Sequence, residues 1–85
     1  MGGSIKIVNA TSSPVQVFVS TYNGGSGDWY TIHPISSDIW YRGEGAGGGW
    51  ELVAFRNDND TTRIGKYVKV NSTVIFVGFD NLVVT

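Results

Sequence analysis

Residue types that do chemistry are sparse in this chain. There is one histidine, His33, placed before Pro34, and no cysteine. Without a thiol there is no disulfide, thiolate metal site or cysteine nucleophile. A Ser-His-Asp triad would have to draw its serine and aspartate from loops that carry no GxSxG elbow. Asp58-Asn59-Asp60-Thr61-Thr62 begins like a calcium loop, but Arg63 stands where glycine is required and Lys69 where the bidentate glutamate belongs. The expectation is a non-enzymatic protein with no cofactor and no metal.

One nucleotide-like spacing is present. Gly43 to Gly48 within WYRGEGAGGGWELVAF matches GxGxxG literally. That fingerprint works when its glycines lie between a strand and a helix, whose N-terminal N–H groups hold the phosphates. Here Trp50 to Asn57 reads as a strand, no Gly-Lys-Ser/Thr follows, and a kinase-type loop belongs to a far larger domain. The segment therefore reads as a pliable hairpin connection, with Trp40 and Arg42 entering it and Trp50 and Glu51 leaving it.

The aromatic residues are more informative. Three Trp and four Tyr fall mostly at the ends of apolar runs beside polar loops, as in Tyr22-Asn23-Gly24-Gly25-Ser26-Gly27-Asp28-Trp29-Tyr30. Aromatic faces cover the C–H surface of a sugar ring, while carboxylates, amides and guanidinium groups satisfy its hydroxyls. On this reading Trp29, Trp40 and Trp50 are stacking platforms, and Asn23, Asp28, Arg42 and Glu51 are hydrogen-bond partners. The same aromatics would equally fill a small core or a subunit interface.

The elements that must position these residues are strands. No stretch sustains helical apolar spacing; β-branched and aromatic runs alternate with Gly, Pro, Asn, Asp and Ser. The predicted strands are Ser4 to Asn9, Val15 to Tyr22, Trp29 to His33, Ser37 to Arg42, Trp50 to Asn57, Arg63 to Val70, Thr73 to Phe79 and Leu82 to Thr85. Thr11 to Pro14, His33-Pro34, Asn57 to Thr62, a tight Asn71-Ser72 hairpin and Asp80-Asn81 separate them. The fold class is all-β, a small antiparallel β-sandwich or barrel of seven to eight short strands. Ile5 and Ile7, Val15 to Val19, and Val68 and Val70 alternate with polar neighbours, whereas Val74 to Phe79 is apolar on both faces. That strand is expected to be covered by another copy of the chain, or alternatively by a loop or the N-terminal strand.

Size and charge narrow the partners. Eighty-five residues make one domain, 1–85, with residues 1–3 read as a disordered lead. So small a core often relies on oligomerisation. Six basic residues, scattered against seven acidic ones, are a poor footprint for nucleic acid or anionic lipid. MGGSIKIVN has no signal-peptide pattern, so the chain as written is expected to be cytoplasmic and soluble. Asn9-Ala10-Thr11, Asn59-Asp60-Thr61 and Asn71-Ser72-Thr73 fit the glycosylation sequon, which matters only in a secretory compartment.

Taken together, SIKIVNATSSPVQVFV, the loop NGGSGDWY and the absence of cysteine resemble the small defence lectins and aegerolysin-type sandwich proteins of mushrooms. The resemblance covers the pattern of about the first half of the chain, includes no diagnostic motif and carries no binding residue over. It implies a sugar- or lipid-recognising defence protein. Three expectations stand side by side: a carbohydrate-binding lectin made multivalent by homo-oligomerisation, a membrane-active protein that binds lipid head groups, and a structural oligomer without a small ligand.

Overall fold

A computed structural model describes residues 3–25, 27–43 and 49–85. Its strands are β1 (Gly3–Asn9), β2 (Val15–Val19), β3 (Tyr30–Ile32), β4 (Ser36–Arg42), β5 (Trp50–Arg56), β6 (Arg63–Lys69), β7 (Thr73–Phe76) and β8 (Leu82–Val84). They form two four-stranded sheets, ordered β4-β1-β7-β8 and β3-β2-β5-β6. The all-β sandwich expected from the alternation is therefore present, and no helix occurs among the described residues.

Alternation sets the two faces. In β1, Ile5, Ile7 and Asn9 point inward; in β2, Val15, Val17 and Val19; in β5, Glu51, Val53 and Phe55. With Trp40, Val68, Val74, Phe76 and Leu82 they make one core between the sheets. Phe55 of one sheet stacks on Phe76 of the other with ring centroids 4.8 Å apart. Asn9 is also fully buried, its amide donating to the carbonyls of Ser13, Ile32 and His33 and thereby tying β1 to the β3 end of the other sheet. That amide is not accessible to glycosylation in the folded chain.

Several connections differ from the sequence expectation. β4 belongs to the first sheet and β5 to the second, so the glycine-rich segment joins the sheets and does not close a hairpin. Its interior, residues 44–48, and with it most of the GxGxxG match, lies outside the described residues. Asn71-Ser72 does form a turn, with Asn71 at φ 78° and the Ser72 amide bonded to the Lys69 carbonyl, but it too crosses between sheets. The β1–β7 pair is parallel in an otherwise antiparallel arrangement, which follows because the chain reaches β7 only after an excursion through the other sheet. Gly3, read as part of the lead, is the first residue of β1 and pairs with Arg42.

The outer face of β7 is only partly covered. Val74 and Phe76 are buried inward, Ile75 is half-buried, and Val77, which follows the strand, is 48% exposed. β1 and β8 flank β7 in its own sheet and do not lie over it. Val8, Ile75 and Val83, in register across β1, β7 and β8, form an apolar row on that outer surface.

Candidate functional site

The seven residues singled out in the sequence separate into three environments. Asn23, Arg42 and Glu51 come together in a buried knot where the loop after β2, the end of β4 and the start of β5 meet. Glu51 is fully buried, and one carboxylate oxygen accepts the Ser20 hydroxyl and the Tyr22 amide, the latter at 3.0 Å. The other accepts the Asn23 amide and side-chain nitrogen at 2.7 and 2.8 Å. Asn23 also donates to the Trp50 carbonyl and accepts from the Gly49 amide. Arg42 donates to the carbonyls of Ser20, Val19 and Tyr41, and its Nε lies 3.9 Å from Glu51. Burial is the largest influence on the Arg42 guanidinium and lowers its pKa from the ordinary value, while the Glu51 charge opposes that shift. No buried side-chain polar atom among the described residues lacks a partner.

This arrangement changes the role of three residues. Expected as sugar partners, they have their polar groups directed at one another and at backbone, and Asn23, held by Glu51, clamps Gly49 and Trp50 beside the segment that Arg42 enters. Sequence reasoning located Arg42 and Glu51 at the ends of that segment and Asn23 in the Tyr22 to Tyr30 loop, but residue type alone does not distinguish an inward-pointing Glu51 from an outward one. The signal was available in parity, since Glu51 shares its face of β5 with Val53 and Phe55.

Trp40 is also turned inward. It is 6% exposed, belongs to the core, and meets Tyr30 edge-on with centroids 6.1 Å apart. A ring so enclosed does not present a face on which a pyranose could stack, which corrects its assignment as a platform. Trp29 is half-buried on the outer surface of the second sheet, packed against Phe18 at 5.6 Å, with the Arg56 guanidinium 4.1 Å and the Arg63 guanidinium 5.4 Å from its ring centre. Asp28, beside it, is exposed. Arg63 in turn holds Asp60 in a two-bond pair, and that contact keeps the Asp60 carboxyl below its usual pKa. Asp60, a member of the calcium-like loop, is thus already matched by a cation.

Trp50 is the open one. On β5 the outward residues are Trp50, Leu52, Ala54 and Arg56, and β6 sets Lys69, Tyr67, Gly65 and Arg63 opposite them. Trp50 is 48% exposed, Tyr67 58% and Tyr22 55%. Tyr67 lies diagonal to Trp50 across the β5–β6 ladder, within reach of a large side chain. It hydrogen-bonds Tyr22, and that bond, with the nearby Tyr67 and Glu51 charges, raises the Tyr22 pKa above the ordinary phenol value. Ala54 and Gly65, paired in register next along the sheet, leave a low floor beside these rings. The result is a flat, aromatic, half-wet sheet face, rimmed at one end by Lys69 and at the other by Arg56 and Arg63. Tyr22 and Tyr67 were not selected from sequence; the outward parity of β6 was the cue that marks Tyr67.

With this geometry in view, comparison with protein-family models, curated proteins and solved structures finds no match. The fold and the placement of these side chains are therefore the grounds for a functional reading.

Proposed function

We propose that the protein is a non-enzymatic carbohydrate-binding protein whose site is the outer face of the β3-β2-β5-β6 sheet. The observation that carries this reading is the contiguous exposed set Trp50, Tyr67 and Tyr22 beside the Ala54–Gly65 floor. Large rings left half in water on a flat face offer apolar area to the C–H side of a pyranose, and Lys69 and the tyrosine hydroxyls supply hydrogen bonds to its edge. Trp29, held by Phe18 and Arg56, closes the far end of the same face, with Asp28 at its border.

Shallow sites of this kind bind weakly one at a time. Self-association through the apolar row on the first sheet would array several of them, and multivalency then raises the apparent affinity. The proposed partners are thus glycans and further copies of the chain. A glycan array, followed by titration of the best ligand against Trp50→Ala and Tyr67→Ala, tests the site. Binding is expected with the parent chain and about two- to tenfold weaker binding with each variant, from stacking losses of about 0.5–1.5 kcal/mol. Both residues are about half in water, so folding stability should change little. An array on which no glycan rises above background would remove this reading; liposome binding in its place would favour the membrane-active one.

A further inference from the structure

The buried knot encloses a pair of residues that is chemically unstable in an open chain. Asn23 is followed by Gly24 in the loop after β2. Asparagine is among the thermolabile residues, because the backbone nitrogen of the next residue can attack its side-chain carbonyl carbon. Glycine in that next position has no Cβ to obstruct the approach. The Gly24 nitrogen gives its proton to solvent and bonds to Asn23 Cγ, while the side-chain nitrogen takes up a proton and leaves as ammonia. A cyclic imide remains, and water opens it at either carbonyl to leave aspartate or isoaspartate.

In the folded chain both reacting groups are engaged elsewhere. Asn23 is 7% exposed. Its side-chain nitrogen donates to the Trp50 carbonyl at 2.9 Å and to Glu51 at 2.8 Å, and its side-chain oxygen accepts the Gly49 amide at 3.2 Å. The Gly24 N–H, whose proton must be lost, donates to the Thr21 carbonyl at 3.0 Å. Turning Cγ onto the Gly24 nitrogen would break the contacts with Gly49, Trp50 and Glu51 together, which amounts to opening the knot. The reaction rate then follows the small open population.

The product does not fit where the amide was. An oxygen would replace the donor nitrogen, 2.8 Å from one Glu51 oxygen and 2.9 Å from the Trp50 carbonyl. Two carboxylates at that separation in a buried site repel and do not both stay ionised without a large cost. Arg42, with Nε 3.9 Å from Glu51, brings a single positive charge to what would be two negative ones. Isoaspartate also lengthens the backbone by one carbon and displaces the loop. We propose that Asn23-Gly24 is a conformation-gated deamidation site: the closed knot protects the amide, and a chain that loses it while open cannot close the knot again. A rare, reversible opening is thereby made irreversible.

The test incubates the full chain in buffer and in urea at the same mildly alkaline pH and temperature, and reads deamidation at each asparagine by peptide mass mapping. In urea Asn23 should convert fastest of the asparagines, and in buffer its conversion should be slower by about a hundredfold or more. On dilution of a partly converted sample from urea, chains that keep the amide should recover the parent's tryptophan fluorescence and protease resistance, while converted chains should recover neither. Asn23→Asp, which installs the product directly, should have a lower urea midpoint than Asn23→Ala, which removes the same hydrogen bonds without adding a charge. Should both variants fail to fold, the partly converted parent sample still decides. Conversion of Asn23 in buffer at the urea rate, refolding of converted chains to the parent state, or an Asn23→Asp midpoint at or above that of Asn23→Ala would each overturn the proposal.

Discussion

Glu51 ties the loop after β2 to the start of β5 from a fully buried position. Four donors converge on its two oxygens, from the Ser20 hydroxyl, the Tyr22 and Asn23 amides and the Asn23 side chain. Glu51→Ala would leave these donors buried without their acceptor and the Arg42 guanidinium buried without its counter-charge, and removing one partner of a buried charged pair costs about 3–5 kcal/mol. In a domain of this size that is a large part of the total stability. The expected result is a strongly lowered urea midpoint, measured by tryptophan fluorescence; a shift of under about 1 kcal/mol would mean that water replaces the carboxylate easily. Tyr22 gives a residue-scale test on the opposite, wet side. Its phenol is favoured in the protonated form by the bond to Tyr67, so its folded pKa lies above its unfolded one. The associated stabilisation is complete below the unfolded value, near 10, and is lost as pH rises through the higher folded value. An alkaline titration should show Tyr22 ionising late, and Tyr67→Phe should lower its pKa toward the ordinary value, with the Glu51 charge and burial keeping part of the shift.

At the scale of elements, parity along β5 and β6 decides what each aromatic does. Trp50 and Glu51 are neighbours in sequence and lie on opposite faces, one half in water and the other fully enclosed. The strands themselves were legible, because β-branched alternation broken by turn residues leaves little else for the chain to form. Their partners were not: nothing local in Arg42 to Trp50 says whether the next strand joins the same sheet or the facing one. That choice separates a hairpin loop from a bridge between sheets, and it is why Arg42 and Glu51 read as sugar partners in the sequence and form a buried clamp in the structure. The loop between β2 and β3 provides a measurable contrast. Gly24 and Gly25 both have positive φ, at 83° and 93°. A Cβ on Gly24 meets open space, whereas one on Gly25 would run into the Arg42 guanidinium and the Tyr41 carbonyl. Gly24→Ala should therefore cost only the backbone strain, about 1–2 kcal/mol. Gly25→Ala should cost clearly more, since Arg42 must leave its carbonyl partners to make room. Equal melting temperatures for the two variants would show that Arg42 is not fixed where the knot places it.

For the molecule as a whole, the core between the sheets accounts for the apolar residues that alternate, and it leaves the outer surface of the first sheet unexplained. The doubly apolar character of Val74 to Val77 was visible in the sequence; among the described residues no strand or loop lies over its outer face, which a sequence without pairing information does not reveal. Val8, Ile75 and Val83 continue that surface across three strands. Ile35 borders it, lining with Val8 a depression of about 370 Å³. Ile35 is a β-branched residue at φ 52° that is 73% exposed, an unfavourable backbone state at a position where the side chain gains nothing from the core. Strain of this kind persists only where the surrounding structure enforces it, and it clusters where the side chain is used in binding. A second copy of the chain, docking on this surface, would bury the row and Ile35 together, and it would supply the multivalency that a shallow sugar site needs. Sedimentation velocity should then show a species heavier than the 9.2 kDa monomer whose share rises with concentration. Val83→Glu, on edge strand β8 with its side chain outward, should return the chain to monomer without unfolding it. Ile35→Gly should also weaken association, yet raise the melting temperature of the monomer by relieving about 1–2 kcal/mol of left-handed strain, less the entropy glycine adds to the unfolded chain. A parent chain that stays at monomer mass at high concentration would leave the apolar row to another partner and would remove self-association as the source of avidity.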